Sequence, residues 1–164
     1  MTTYPSVESI SVVLSSADKV SGSGTDFLVN LKGRLPPQVK EYYVRMSAMT
    51  LHLSDSSADI IDLISVHVSS LGIPPSIVSN AVLAPDFLST FNFGSHRGFS
   101  TSPWLRCSNP NIGQVNVKLR KVSTGALATP STGTIDTVCL ALEFVPITYS
   151  KIAREKESYK QPSF

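Results

Sequence analysis

Apolar and polar positions alternate with a period of two along most of this chain, the spacing of strands that bury one face. The clearest run sets Val138, Leu140, Leu142 and Phe144 on one side and Thr137, Cys139, Ala141 and Glu143 on the other. A second sets Val115, Val117 and Leu119 against Asn116, Lys118 and Arg120. Ile10, Val12 and Leu14 define a third strand, and Phe27, Val29 and Leu31 a fourth, with a turn or loop over residues 19–25 between them. No segment before the C-terminal tail shows a helical period.

The longest strand expected covers residues 42–53. Its apolar phase begins on Tyr42, Val44, Met46 and Ala48 and then shifts to Met49, Leu51 and Leu53. A shift of phase inside one strand marks a bulge or a change of packing partner. After Asp55-Ser56-Ser57 the alternation resumes over residues 60–68, with Ile64, Val66 and Val68 on one face. A shorter strand is expected over 102–107, around Trp104 and Leu105. Residues 70–100 are broken by Gly72, Pro74, Pro75, Pro85, Gly94 and Gly98 yet contain Phe87, Phe91, Phe93 and Phe99. So apolar a segment is expected to cover a sheet or meet another subunit, with one short strand over 86–93.

About eight short strands joined by loops of variable length predict an all-β, antiparallel two-sheet sandwich. Jelly-roll topology places the last two strands inside opposite sheets, which suits the two cleanest patterns, at 114–122 and 136–145. The same topology puts a strand between those bearing Cys107 and Cys139, against a disulfide. An immunoglobulin-type sandwich is the alternative, although Trp104 precedes both cysteines. The expected domain is residues 1–148, followed by a C-terminal extension or arm over 149–164. Its mixed charges read as a solvated, partly frayed terminus; the alternative is an extended arm that orders on a neighbour through Tyr149, Ile152, Tyr159 and Phe164.

Composition narrows the function classes. Only 16% of the 164 residues are charged while 41% are hydrophobic, against about a quarter charged in an average soluble domain. Such a balance points to surface buried against partners or to a Ser/Thr-rich exterior. The net charge of +2, with basic residues scattered, argues against direct nucleic-acid binding, which needs clustered cations. No run reaches the ~18 apolar residues of a membrane span. The absence of a leader and the two cysteines suit a reducing compartment.

No catalytic, cofactor-binding or metal-ligating pattern stands out, so the expected protein is not an enzyme and carries no cofactor. His52, His67 and His96 form no zinc motif. His52 and His67, among apolar neighbours, read as hydrogen-bonded structural histidines. His96 and Arg97, flanked by Gly94 and Gly98, read as an exposed pair able to meet an anion or a partner. Trp104, the lone tryptophan, serves either the core or an interface. The interface candidates are Phe87, Phe91, Phe93, His96, Arg97, Trp104, Tyr149, Tyr159 and Phe164.

The chain also has a familiar order. A short polar start leads into Ser9-Ile10-Ser11-Val12-Val13-Leu14. Asp26-Phe27-Leu28-Val29-Asn30-Leu31, Leu35-Pro36-Pro37, the strand over 42–53 and a closing strand over 138–145 follow. Over residues 8–146 this resembles the small single-jelly-roll proteins at vertices (pentons) or minor positions in the capsids of large icosahedral DNA viruses. The resemblance rests on strand pattern and size. It implies a structural capsid protein of the virion, assembled in the host cytoplasm, whose partners are its own copies (a pentamer at a vertex) and neighbouring capsid proteins. The Arg-rich N-terminal arm of many small RNA-virus jelly rolls is missing, and the chain is short for a vertex protein with a large outer insertion. The alternative function is a carbohydrate- or receptor-binding β-sandwich using Tyr42, Tyr43, Trp104 and His96. A hydrolase centred on His96 is a more distant third.

Overall fold

The structure is a computed structural model that describes residues 9–60, 62–73, 76–79, 82–84, 86–92, 102–108 and 113–147. Eleven strands are present among them: β1 (Ile10–Ser15), β2 (Ser21–Gly22), β3 (Asp26–Asn30), β4 (Tyr42–Leu53), β5 (Leu63–Val68), β6 (Ser76–Ser79), β7 (Val82–Ala84), β8 (Phe87–Asn92), β9 (Leu105–Cys107), β10 (Gln114–Lys121) and β11 (Ile135–Pro146). A single 3-10 turn, Ser16–Asp18, follows β1.

The strands form a four-stranded sheet ordered β1-β11-β4-β9 and a five-stranded sheet ordered β2-β3-β10-β5-β8, with β6 and β7 as a separate hairpin. Setting aside β2 and that hairpin leaves eight principal strands. The first pairs with the eighth, the second with the seventh, the third with the sixth and the fourth with the fifth. Successive pairs fall in alternate sheets, so one long antiparallel hairpin is rolled into a sandwich, which is jelly-roll topology. β10 and β11 lie inside opposite sheets, and β4 separates Cys107 on β9 from Cys139 on β11. Both cysteines are free thiols.

The alternating residues meet between the sheets. Val138, Leu140, Leu142 and Phe144 face Val115, Val117, Leu119, Ile64 and Val66 across a core from which all are fully excluded from water. Each such side chain contributes roughly 1.5–3 kcal/mol by burial. The phase shift in the long strand is a bulge: Ala141 pairs with Ala48 and Leu142 with Met46, leaving Ser47 unpaired. Ser47 Oγ donates to Ala141 O at 3.1 Å. Ala48 is therefore turned outward, one position earlier than the apolar pattern suggests, while Met49 and Leu53 return to the core.

Two expectations are corrected. Tyr42 belongs to the core: it is fully buried, lies edge-on to Phe144 at 5.9 Å, and its hydroxyl donates to Pro36 O at 3.1 Å. Its phase matches Val44 and Met46, so it lines no surface groove. His52 is no structural histidine, because the bulge leaves its side chain 77% exposed, with Nδ1 3.8 Å from Asp136. His67 does fit that description, with Nε2 2.9 Å from Ser65 Oγ and its ring edge-on to Phe87.

Candidate interaction surface

The outer face of the four-stranded sheet carries the positions left over by the inward alternation of β4 and β11. At one end Tyr43 pairs with Val145 on β11 and with Arg106 on β9. Two residues along, Arg45 stands opposite Glu143, and Nε donates to Oε2 at 2.6 Å. The Arg45 guanidinium also sits 4.5 Å from the ring centroid of Trp104, which enters this corner just before β9. Arg106 Nη2 donates to Glu41 Oε1 at 2.7 Å. These pairs neutralise one another, so the corner presents aromatic surface over internally balanced charge. Tyr43 and Trp104 are 45% and 41% exposed, and Val13 on the adjoining β1 is 53% exposed. Val13 shares its row with the small side chains Ala141 and Ala48, and the Arg45–Glu143 row lies between it and Tyr43.

A second feature lies at the opposite end of β11. The β4–β5 and β10–β11 loops enclose an open cleft of about 480 Å³ lined by Asp59, Asp62, Lys121, Ser123, Thr129 and Ser131, among others. The loops are tied by reciprocal bonds: Ser131 N–H donates to Asp59 O at 2.8 Å, and Asp59 N–H donates to Ser131 Oγ at 3.1 Å. Ser123 donates its hydroxyl to Asp62. Nearby, Asp55 accepts from Ser57 and from Thr132, bonds that hold its carboxyl below the usual carboxylate range. The cleft offers carboxylates, an ammonium and hydroxyls, but no aromatic platform.

Among the described residues the interface candidates fall on both sheets. Trp104 lies on the four-stranded side, as described. Phe87 pairs with His67 on the five-stranded sheet, and Phe91 pairs in register with Ile64 there. Phe93, His96, Arg97, Tyr149, Tyr159 and Phe164 lie outside the described residues. Sequence reading missed Arg45, Glu143 and the cleft. The outward phase of Arg45 and Glu143 was visible, but their pairing depends on a register that a bulge sets. The cleft depends on two loops meeting at one end of the roll, where Asp59 bonds to Ser131 72 residues on.

Among the described residues no group of three or more His, Cys, Asp or Glu side chains is placed to hold a metal, and no helix is long and apolar enough to cross a membrane. No protein-family model matches the chain, nor does any curated protein or solved structure.

Proposed function

We propose that this chain is a structural subunit of a viral capsid, at a vertex (penton) or minor capsid position, which works by packing against its own copies and neighbouring capsid proteins. The observation that carries this reading is the outer face of the four-stranded sheet. Exposed Tyr43, Trp104 and Val13 stand there beside charges already paired within the chain. Burying paired charge costs less than burying single ions, and aromatic residues with arginine are the usual anchors of protein contacts. The jelly-roll order and the low overall charge support it, although the fold hosts lectins and cupins as well as capsid proteins. Its place would be the virion, with assembly in the host cytoplasm. Light scattering on the purified protein, followed by negative-stain imaging, tests this reading. A pentamer or a closed shell is the expected result; a monomer at every concentration, alone and with other capsid proteins, overturns it.

The exposed Trp104 also favours a second reading, a carbohydrate- or receptor-binding module, since the indole surface that Arg45 leaves uncovered can stack on a sugar. Saturable glycan binding by the monomer, lost in Trp104→Ala, would select that reading.

A further inference from the structure

The aromatic corner of the four-stranded sheet lies where the chain leaves the sandwich. Val145 pairs with Tyr43 and Pro146 with Tyr42. The Ile147 N–H then donates to Glu41 O at 3.0 Å, beside the Arg106–Glu41 pair. Residues 148–164 follow, with Tyr149, Ile152, Tyr159 and Phe164 spaced among Lys151, Arg154, Glu155, Lys156, Glu157 and Lys160. The sequence therefore holds a stretch of large anchors and both signs of charge that starts next to an exposed surface of matching character.

Length and the direction of β11 favour a neighbour's surface over its own. Seventeen extended residues span up to ~58 Å, more than the ~40 Å of a twelve-residue strand such as β4. From Cys139 to Phe144 β11 is hydrogen-bonded on both sides, by β1 and β4, so that stretch offers no free edge. A chain continued in the direction of β11 would run past the end of its own sandwich. Reaching its own outer face would require an immediate reversal over Tyr43.

We infer that residues 148–164 of one copy lie across the outer face of the four-stranded sheet of a neighbouring copy, with aromatic anchors seated beside Trp104 and Tyr43. This rests on the assembly reading above and specifies the contact that drives it. Arg45 approaches Trp104 at 4.5 Å, and the ring's remaining exposed surface is available to a Tyr or Phe at offset or edge-to-face geometry. Arg45 paired with Glu143 and Arg106 with Glu41 leave the face without a net charge of either sign, so it can accept the mixed Lys, Arg and Glu of the segment.

Photo-cross-linking in the full chain tests this. Tyr43→p-benzoylphenylalanine keeps an exposed aromatic at that position, and light and isotopically heavy chains are mixed as dissociated subunits before assembly. Light scattering reads the mass of the same sample. The expected result is an assembled species whose cross-links from position 43 fall within 148–164, about half of them joining light to heavy chains. Excess synthetic peptide of residues 148–164 should reduce them severalfold. Cross-links confined to chains of one isotope would show that the segment folds back on its own sheet, overturning the inference. Cross-links to other segments in an assembled sample would overturn it while leaving the assembly reading intact. A monomeric mass throughout would remove both.

Discussion

The guanidinium of Arg45 lies 4.5 Å from the ring centroid of Trp104 while its Nε holds Glu143 at 2.6 Å, so one side chain joins β4, β11 and the approach to β9. Arg45→Ala removes the cation–π contact and leaves Glu143 with a weak 3.4 Å bond from Ser9. The pair is partly exposed, so the expected loss is modest, about 1 kcal/mol. Arg45→Lys keeps the charge but not the flat face that stacks on indole, and should recover only part of that loss. Urea midpoints together with Trp104 emission read both effects. An unchanged midpoint and spectrum in Arg45→Ala would mean that the contact contributes nothing.

At the free edge of the same sheet, Arg34 Nη1 donates to Val13 O at 2.6 Å. β1 is an edge strand whose outward backbone groups could pair with another chain. A bulky cation from the loop after β3 occupies one of them. Arg34→Ala should change stability by less than about 1 kcal/mol, because the side chain is exposed. It should increase unspecific association. Turbidity and thioflavin binding at raised temperature check this, and aggregation at the wild-type rate would show that Arg34 does not guard the edge.

Much of the roll was legible because its strands bury one face only. The alternations in β10 and β11 placed those strands inside opposite sheets, and the shift in β4 marks the bulge, one of the two causes it allowed. Where reading failed, the reason is physical. The β6–β7 hairpin has four and three residues between prolines, too few for a period to emerge. Tyr42 and Tyr43 differ by one step of phase, so one is core and the other surface, and only comparison with Val44 and Met46 separates them. His52 follows apolar residues, but the bulge at Ser47 turns its side chain outward. The Arg45–Glu143 pair links positions 98 apart in sequence, and nothing local signals a partner at that distance.

Gly24 holds the turn between β2 and β3 against the start of β11. A Cβ there would lie 2.1 Å from Ile135 O, a backbone atom that cannot swing away. Gly24→Ala should therefore cost about 1–3 kcal/mol as an overpacked contact. Gly113→Ala, with open space around the added atom and no left-handed φ, is the control and should be nearly neutral. Thermal denaturation of the two variants decides. Equal midpoints would mean that the turn can shift away from Ile135 without cost.

The fully buried Cys107 predicts an alkaline limit to stability. Burial pushes its thiol from an ordinary value near 9 up to about 12, with a backbone hydrogen bond from Tyr42 acting the other way. Burial, and then the nearby Cys107, also raise the Tyr42 hydroxyl. Between about pH 9 and 12 the unfolded chain has released the Cys107 proton while the folded chain still holds it. The unfolded state then binds fewer protons, and stability falls as pH rises. That contribution is fully present below pH 9 and is lost by about pH 12. Cys107→Ala should cost on the order of 1 kcal/mol near neutrality yet show a shallower decline above pH 9, with the Tyr42 share remaining. Denaturant midpoints from pH 7 to 11 compare the two slopes, and parallel curves would refute the coupling. The same burial predicts that a thiol reagent modifies half-buried Cys139 in the native protein and reaches Cys107 only on unfolding; rapid modification of both would show that the β4–β9 edge opens readily.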